Sequence, residues 1–156
     1  MKKLLLTLFL FFLCINVKAI SASGVVAMDL ESNRVLYSQN MDSKRIIASI
    51  TKIMTCIVAI ENGKLDSEVT VGNEVLKAYG SAIYIEVGEK INLKDLLYGM
   101  MLRSGNDAAV EIAYSVAGDM PKFVELMNAK ALELGMKNTH FVNDHGLEEN
   151  DGSGNI

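Results

Sequence analysis

The sequence predicts a mixed α/β (α+β) chain, an N-terminal β-hairpin followed by a helical subdomain, on three observations. Two β-rich runs, residues 24–30 and 34–38, flank the polar turn Glu31-Ser32-Asn33, which is the pattern of a hairpin. From Ser49 onward, Ile50, Ile53, Met54, Ile57, Val58 and Ile60 recur at helical spacing. Between Asn92 and Gly135, capping residues, apolar periodicity and terminal glycines alternate as they do in consecutive helices.

The elements follow in order. Met1-Lys2-Lys3 is a short basic start, residues 4–17 are nearly all apolar, and Val17-Lys18-Ala19 has the small-x-small form of a cleavage site. Residues 1–19 therefore read as a signal peptide, cleaved after Ala19 or, as second choice, after Ala22. Export would place the chain outside the cytoplasmic membrane, in the periplasm or cell-wall space. The apolar run is shorter than the roughly 20 residues of a membrane-spanning helix, and no C-terminal membrane anchor is visible. After the hairpin, the helix beginning at Ser49 ends at Gly63. Residues 68–72 and 83–87 read as extended, with a brief helix between them opened by Asn73 as its cap. Asn92 caps a helix over 93–102, which ends in the loop Arg103-Ser104-Gly105, and Asn106 caps the next, 107–116, closed by Gly118. Pro121 opens a last helix that runs to Gly135. Residues 148–156 are polar and glycine-rich and are predicted to be disordered, leaving 20–147 as one domain or part of one.

Composition narrows the function. With 15 basic and 19 acidic residues the net charge is −4, and signal cleavage would remove Lys2, Lys3 and Lys18 and no acid. An acidic surface argues against nucleic acid and against an electrostatic hold on anionic lipid. Cys56 would be the one cysteine left after cleavage, so no disulfide forms within the chain, and its apolar helical setting reads as a buried inert thiol. His140 and His145 lack the cysteine or acidic spacing of a zinc site and read as loop histidines, so no metal site is predicted. No phosphate-cradling glycine loop is present, and the nine methionines read as core filler.

Chemistry concentrates in Ser49-Ile50-Thr51-Lys52 and Ser104-Gly105-Asn106. A serine hydroxyl is a poor nucleophile until a base takes its proton, and a lysine at i+3 on the same helix lies about 5–6 Å away between Cβ atoms. To act as that base the lysine must be neutral, so its pKa must fall from about 10.4 toward 7, a differential of about 4 kcal/mol. The helix N-terminus contributes only about 0.3–1 kcal/mol of this, and burial and a neighbouring cation must supply the rest. Ser38-Gln39-Asn40 and Ser153-Gly154-Asn155 also fit Ser-x-Asn, but only Ser104 follows the helical Ser-x-x-Lys at an interhelical loop.

Three stretches carry a family resemblance: Ala48-Ser49-Ile50-Thr51-Lys52-Ile53-Met54-Thr55; Gly88-Glu89-Lys90 leading into Leu96 through Arg103-Ser104-Gly105-Asn106-Asp107-Ala108-Ala109; and Thr139 through Leu147. Together they resemble the serine-type D-Ala-D-Ala carboxypeptidases, low-molecular-mass penicillin-binding proteins of peptidase family S11. The resemblance implies the penicillin-binding, transpeptidase-like (beta-lactamase-like) fold, represented by its hairpin and helical subdomain, with later sheet strands missing. It implies Ser49 as acyl-ester nucleophile, Lys52 as proton acceptor, Ser104 in the proton-shuttling network and Asn106 binding the substrate amide. The implied substrate is a peptidoglycan stem peptide ending in D-Ala-D-Ala, with β-lactams as acylating inhibitors and no cofactor. Ile47 and Asp144 stand where the family usually has proline, and Arg103 replaces a small residue or proline; these are expected to change loop rigidity more than catalysis.

The family's third element, a Lys-Thr-Gly or Lys-Ser-Gly strand, does not occur before Ile156, since Arg103-Ser104-Gly105 overlaps Ser-Gly-Asn. The chain thus resembles the family truncated at its C-terminus. The resemblance implies that this strand supplies a cation near the base and a backbone donor to the oxyanion hole; losing one such donor typically costs about 10²- to 10³-fold in rate, and losing the cation leaves Lys52 more protonated, so impaired activity is expected. The alternatives are a β-lactamase-like hydrolase and an inactive fragment that binds wall peptide or a partner chain. The first lacks an acidic water-activating loop, because Glu125-Leu126-Met127-Asn128 lies within a helix at the wrong spacing.

Overall fold

The computed structural model describes residues 21–148 and 152–156, so the predicted signal peptide lies outside the described residues. The described residues fall into two compact units, divided between Ser43 and Lys44.

The first unit holds the predicted hairpin, with β1 (Val25–Met28) antiparallel to β2 (Val35–Gln39). Val25 lies opposite Gln39 and Ala27 opposite Tyr37, and the register shifts between Ala27 and Met28. Side-chain chemistry closes the turn. The Asp29 amide donates to the Arg34 carbonyl at 2.9 Å, while the Asp29 carboxylate accepts from the Ser32 amide at 2.8 Å. Asn33 takes the left-handed conformation (φ 54°) that asparagine tolerates better than most residues. Val26, Leu36 and Tyr37 are exposed on this ribbon.

The second unit consists of α1 (Thr51–Asn62), β3 (Glu68–Thr70), β4 (Lys90–Asn92), α2 (Leu93–Arg103), α3 (Asn106–Ala117) and α4 (Met120–Glu133). Two 3₁₀ turns, Ala48–Ile50 and Asn73–Lys77, supplement them. The caps behave largely as the sequence predicts. The Asn92 side chain accepts from the Lys94 amide at 3.0 Å, Gly118 ends α3 at φ 85°, and Pro121 sits in the first turn of α4 behind Asp119, which accepts from the Lys122 amide.

Three local expectations differ. Asn106 does not cap α3; Gly105 occupies that position, and the Asn106 side chain is used elsewhere. Asn73 is likewise the first residue of its turn, behind Gly72. Residues 83–87 form no strand. Instead β3 pairs with Lys90–Asn92, Glu68 opposite Asn92 and Thr70 opposite Lys90, because the amides of Ile83, Tyr84 and Ile85 are taken by the Asp107 carboxylate.

Helix α3 is the centre of the core. Its first eight residues, Asn106 to Ala113, are all buried, as a helix wrapped on every side must be. Ala108, Ala109 and Ala113 are fully buried and let neighbouring backbones approach. Leu96 and Met100 of α2, Val58 and Ala59 of α1, Phe123 and Met127 of α4, and Phe141 fill the space around it. Each large side chain buried there contributes about 1.5–3 kcal/mol of transfer free energy. Asn128 of α4 reaches across to the following loop, donating to the Phe141 carbonyl and accepting from the Phe141 amide, both at 2.9 Å.

The disorder predicted for 148–156 is not what the end of that stretch adopts. Ile156 exchanges two backbone hydrogen bonds with His140, and Asn155 is fully buried. The Asn155 side chain donates to Thr51 Oγ1 and to the Asn143 carbonyl and accepts from the Val142 amide. A polar, glycine-rich composition fails here as a guide because the side chain, rather than apolar area, anchors the segment.

Candidate active site

The 3₁₀ turn Ala48–Ile50 delivers Ser49 to the start of α1, and the end of α2 delivers Ser104. Ser104 Oγ donates to Ser49 Oγ at 3.2 Å, joining residues 55 apart in sequence. Both approaches are backbone-strained: Ala48 (φ 46°) and Ser104 (φ 57°) are non-glycine residues in the left-handed region, at about 1–2 kcal/mol each. Such strain is held only where surrounding packing over-determines it.

Lys52 is the second residue of α1, three residues after Ser49, and is 3% exposed. Its Nζ donates to the His145 carbonyl at 2.9 Å, and among the described residues no hydrogen bond links it to Ser49. Burial pushes its pKa below the ordinary lysine value, and attraction to the Asp144 carboxylate partly opposes that shift. The direction is the one a general base requires.

The loop beneath the lysine is built by a polar network. Thr55 Oγ1 donates to the Asp144 carbonyl at 2.6 Å, the Asn143 side chain donates to the Leu147 carbonyl at 2.7 Å, and Asn143 Oδ1 accepts from the Gly146 amide at 2.8 Å. Gly146 is at φ 88°, and a Cβ there would collide with the Ala48 carbonyl, in the turn that carries Ser49. His145 accepts from the Leu147 amide through Nδ1 at 3.1 Å and faces Asp144 Oδ1 through Nε2 at 3.9 Å.

Asn106 is buried, with Nδ2 donating to the Tyr79 carbonyl at 2.6 Å and its backbone amide donating to the Ser81 carbonyl at 2.7 Å. Among the described residues its Oδ1 receives no hydrogen bond, which leaves that oxygen as an acceptor. Ser49, Lys52, Ser104 and Asn106 thus all belong to one unit, and the Ser49–Ser104 pair is in direct contact.

A model of the family described as Peptidase_S11, D-alanyl-D-alanine carboxypeptidase, matches residues 14–154 of this chain. The chain belongs to the peptidase S11 family. It is 38% identical over 133 residues to the D-alanyl-D-alanine carboxypeptidase DacF of Bacillus subtilis, covering 82% of this chain and 34% of that protein. It is 39% identical over 145 residues to the carboxypeptidase DacA of Escherichia coli, covering 85% of this chain and 36% of the relative. Among solved structures, the carboxypeptidase DacD of Francisella tularensis superposes with a TM-score of 0.81 at 36% identity, over 90% of this chain and 35% of that one. Penicillin binding protein 5 of Haemophilus influenzae superposes with a TM-score of 0.78 at 31% identity, over 88% of this chain and 42% of that one. The fold is therefore that of the penicillin-binding DD-peptidases, and this chain spans about a third of the length of the curated relatives it matches.

Several residues of this candidate site escape sequence reading. The His145 carbonyl that holds Lys52 comes from a histidine that reads as an ordinary loop residue, 93 positions away. Asp144 bears on Lys52 electrostatically, opposing the shift that burial causes. Asp107 could have been noticed only as the acid directly following Asn106. Cys56 is half-buried rather than fully buried, and burial pushes its thiol pKa up, away from the thiolate that reactivity needs.

Proposed function

We propose that this chain is the acylating part of a serine D-Ala-D-Ala carboxypeptidase that acts on peptidoglycan stem peptides outside the cytoplasmic membrane. Neutral Lys52, through the Ser104 hydroxyl, takes the Ser49 proton as Oγ attacks the carbonyl of the penultimate D-alanine. The C–N bond then breaks, the proton returns to the departing amine, and D-alanine leaves an ester on Ser49. Water hydrolyses that ester: Lys52 accepts the proton of the attacking water and returns it to Ser49 Oγ as the acyl C–O bond breaks, which restores both groups. Asn106 Oδ1 accepts a substrate N–H, and β-lactams acylate the same hydroxyl. The observation that carries this reading is the Ser104 Oγ–Ser49 Oγ contact at 3.2 Å beside a buried lysine whose pKa is lowered. Lys52 Nζ donates to the His145 carbonyl, and the cycle requires its lone pair to face the serine pair.

The test is D-alanine release from a peptide ending in Lys-D-Ala-D-Ala, compared between the wild-type chain and Ser49→Ala. Release that disappears in Ser49→Ala is expected. Equal release by both proteins would overturn the assignment of Ser49, and no release by either would overturn the activity.

A further inference from the structure

Asp107 lies next to Asn106 in the first turn of α3 and is 5% exposed. Its carboxylate gathers three successive backbone amides from a segment more than twenty residues earlier. Oδ1 accepts from Ile83 at 3.0 Å, and Oδ2 accepts from Tyr84 at 2.7 Å and Ile85 at 3.2 Å, while Oδ1 also accepts from the Ala108 amide of its own helix at 2.9 Å. Tyr84 sits at φ 64°, a conformation a bulky residue adopts only when held, and the three amides converge as an anion-binding nest does. The anion in this nest is a side chain of the protein itself.

The same segment holds Asn106 from the other side. Tyr79 and Ser81 offer their carbonyls to the Asn106 side chain and backbone, and Ile83 packs its Cγ2 where a Cβ on Gly105 would stand, 3.0 Å away. Two adjacent residues of α3 therefore clasp residues 79–85, Asn106 through carbonyls and Asp107 through amides. Charge-assisted bonds to a carboxylate are roughly twice as strong as neutral ones, so the acid is the stronger half of the clasp.

We propose that Asp107 is a positioning residue: by pinning residues 83–85 it holds the Tyr79 carbonyl against Asn106 Nδ2 and so keeps Asn106 Oδ1 oriented toward a substrate amide. This deepens the carboxypeptidase reading and rests on it for the substrate, but the clasp itself is testable without activity. Asparagine at 107 keeps the shape but replaces one acceptor oxygen with a donor facing amides that also donate.

The experiment compares the full chain with Asp107→Asn by backbone hydrogen exchange at 83–85, by the side-chain amide resonances of Asn106, and by steady-state D-alanine release. In Asp107→Asn the three amides are expected to exchange at least about tenfold faster, the scale of one lost bond to a charged group. The Asn106 side-chain protons should lose their slow exchange, and KM should rise more than kcat falls. Unchanged protection at 83–85, or an unaltered Asn106 signal, would overturn the proposal, as would a loss confined to kcat. If Asp107→Asn does not fold, the wild-type chain decides. Amides 83–85 opening together with those of α3 support the clasp, and exchange at free-peptide rates overturns it. Absence of D-alanine release from wild type would refute the enzymatic reading, while the exchange measurements would still decide the clasp.

Discussion

Replacing Gly146 with alanine separates the geometry of this site from general stability. Two costs add. At φ 88° a Cβ incurs about 1–2 kcal/mol for the left-handed backbone. It would also collide with the Ala48 carbonyl and lie 2.8 Å from Thr51 Oγ1. The first of these is backbone, so relief requires the 3₁₀ turn bearing Ser49 or the loop bearing the His145 carbonyl to move, at a further cost of about 1–3 kcal/mol. The total, roughly 2–5 kcal/mol, should lower Tm by about 5–15 °C for a chain of this size. Displacing a reacting group by about 1 Å can cost on the order of 10²-fold in rate. Gly118→Ala is the control: its φ is 85°, but nothing lies within 4 Å of the added Cβ. It should carry the backbone cost alone and leave penicillin acylation unchanged. Thermal unfolding and acylation rates of the two variants are the assay. If Gly146→Ala matched Gly118→Ala in both Tm and acylation, the close packing of loop against turn would not be what places Ser49.

Other expectations follow from single contacts. Acylation should rise with pH along a limb whose midpoint lies below 10.5, because burial depresses Lys52, and Asp144→Asn should move that limb lower still by removing an attraction that favours the charged form; a limb that moves upward in a pH–rate profile would contradict this. By linkage, a lysine depressed in the folded state makes stability rise with pH from its folded pKa toward 10.5, since the unfolded chain then binds the extra proton. Glu111 is 2% exposed, accepts from the Gly72 amide at 2.9 Å, and has its pKa raised by burial. Its charged form is therefore disfavoured in the folded chain, with stability lost as pH rises from 4.5 through the folded pKa. Glu111→Gln should raise Tm at pH 7 and leave it nearly unchanged near pH 4, and a pH-independent effect in differential scanning calorimetry would count against this. Phe123→Ala should destabilise by about 3–5 kcal/mol in urea titration, because the ring is completely buried in the core around α3.

The contrast between legible and hidden features is one of range. Asn92, Gly118 and Pro121 mark helix ends through bonds and backbone preferences that span a few residues, so the sequence announces them. Residues 83–87 alternate like a strand, yet Asp107 claims the amides of residues 83–85 from 22 to 24 positions away, and the strand that pairs with β3 is the short Lys90–Asn92. Ser49 and Ser104 are recognisable through two motifs with defined chemistry, whereas the His145 carbonyl that holds Lys52 carries no side-chain signature at all. Asn155 shows the same limit: its neighbours in sequence are glycine and isoleucine, but its amide satisfies five groups deep in the fold, including Thr51 Oγ1 and Asn143 Oδ1.

Covalent trapping tests the central assignment most directly. The folded chain is incubated with a labelled penicillin, digested with trypsin, and mapped by mass spectrometry; cleavage after Arg45 and Lys52 isolates residues 46–52, whose two hydroxyls belong to Ser49 and Thr51. A penicilloyl adduct on Ser49, absent from Ser49→Ala, is the expected result. An adduct on another residue, or none after prolonged incubation, would contradict the assignment of Ser49 as the nucleophile.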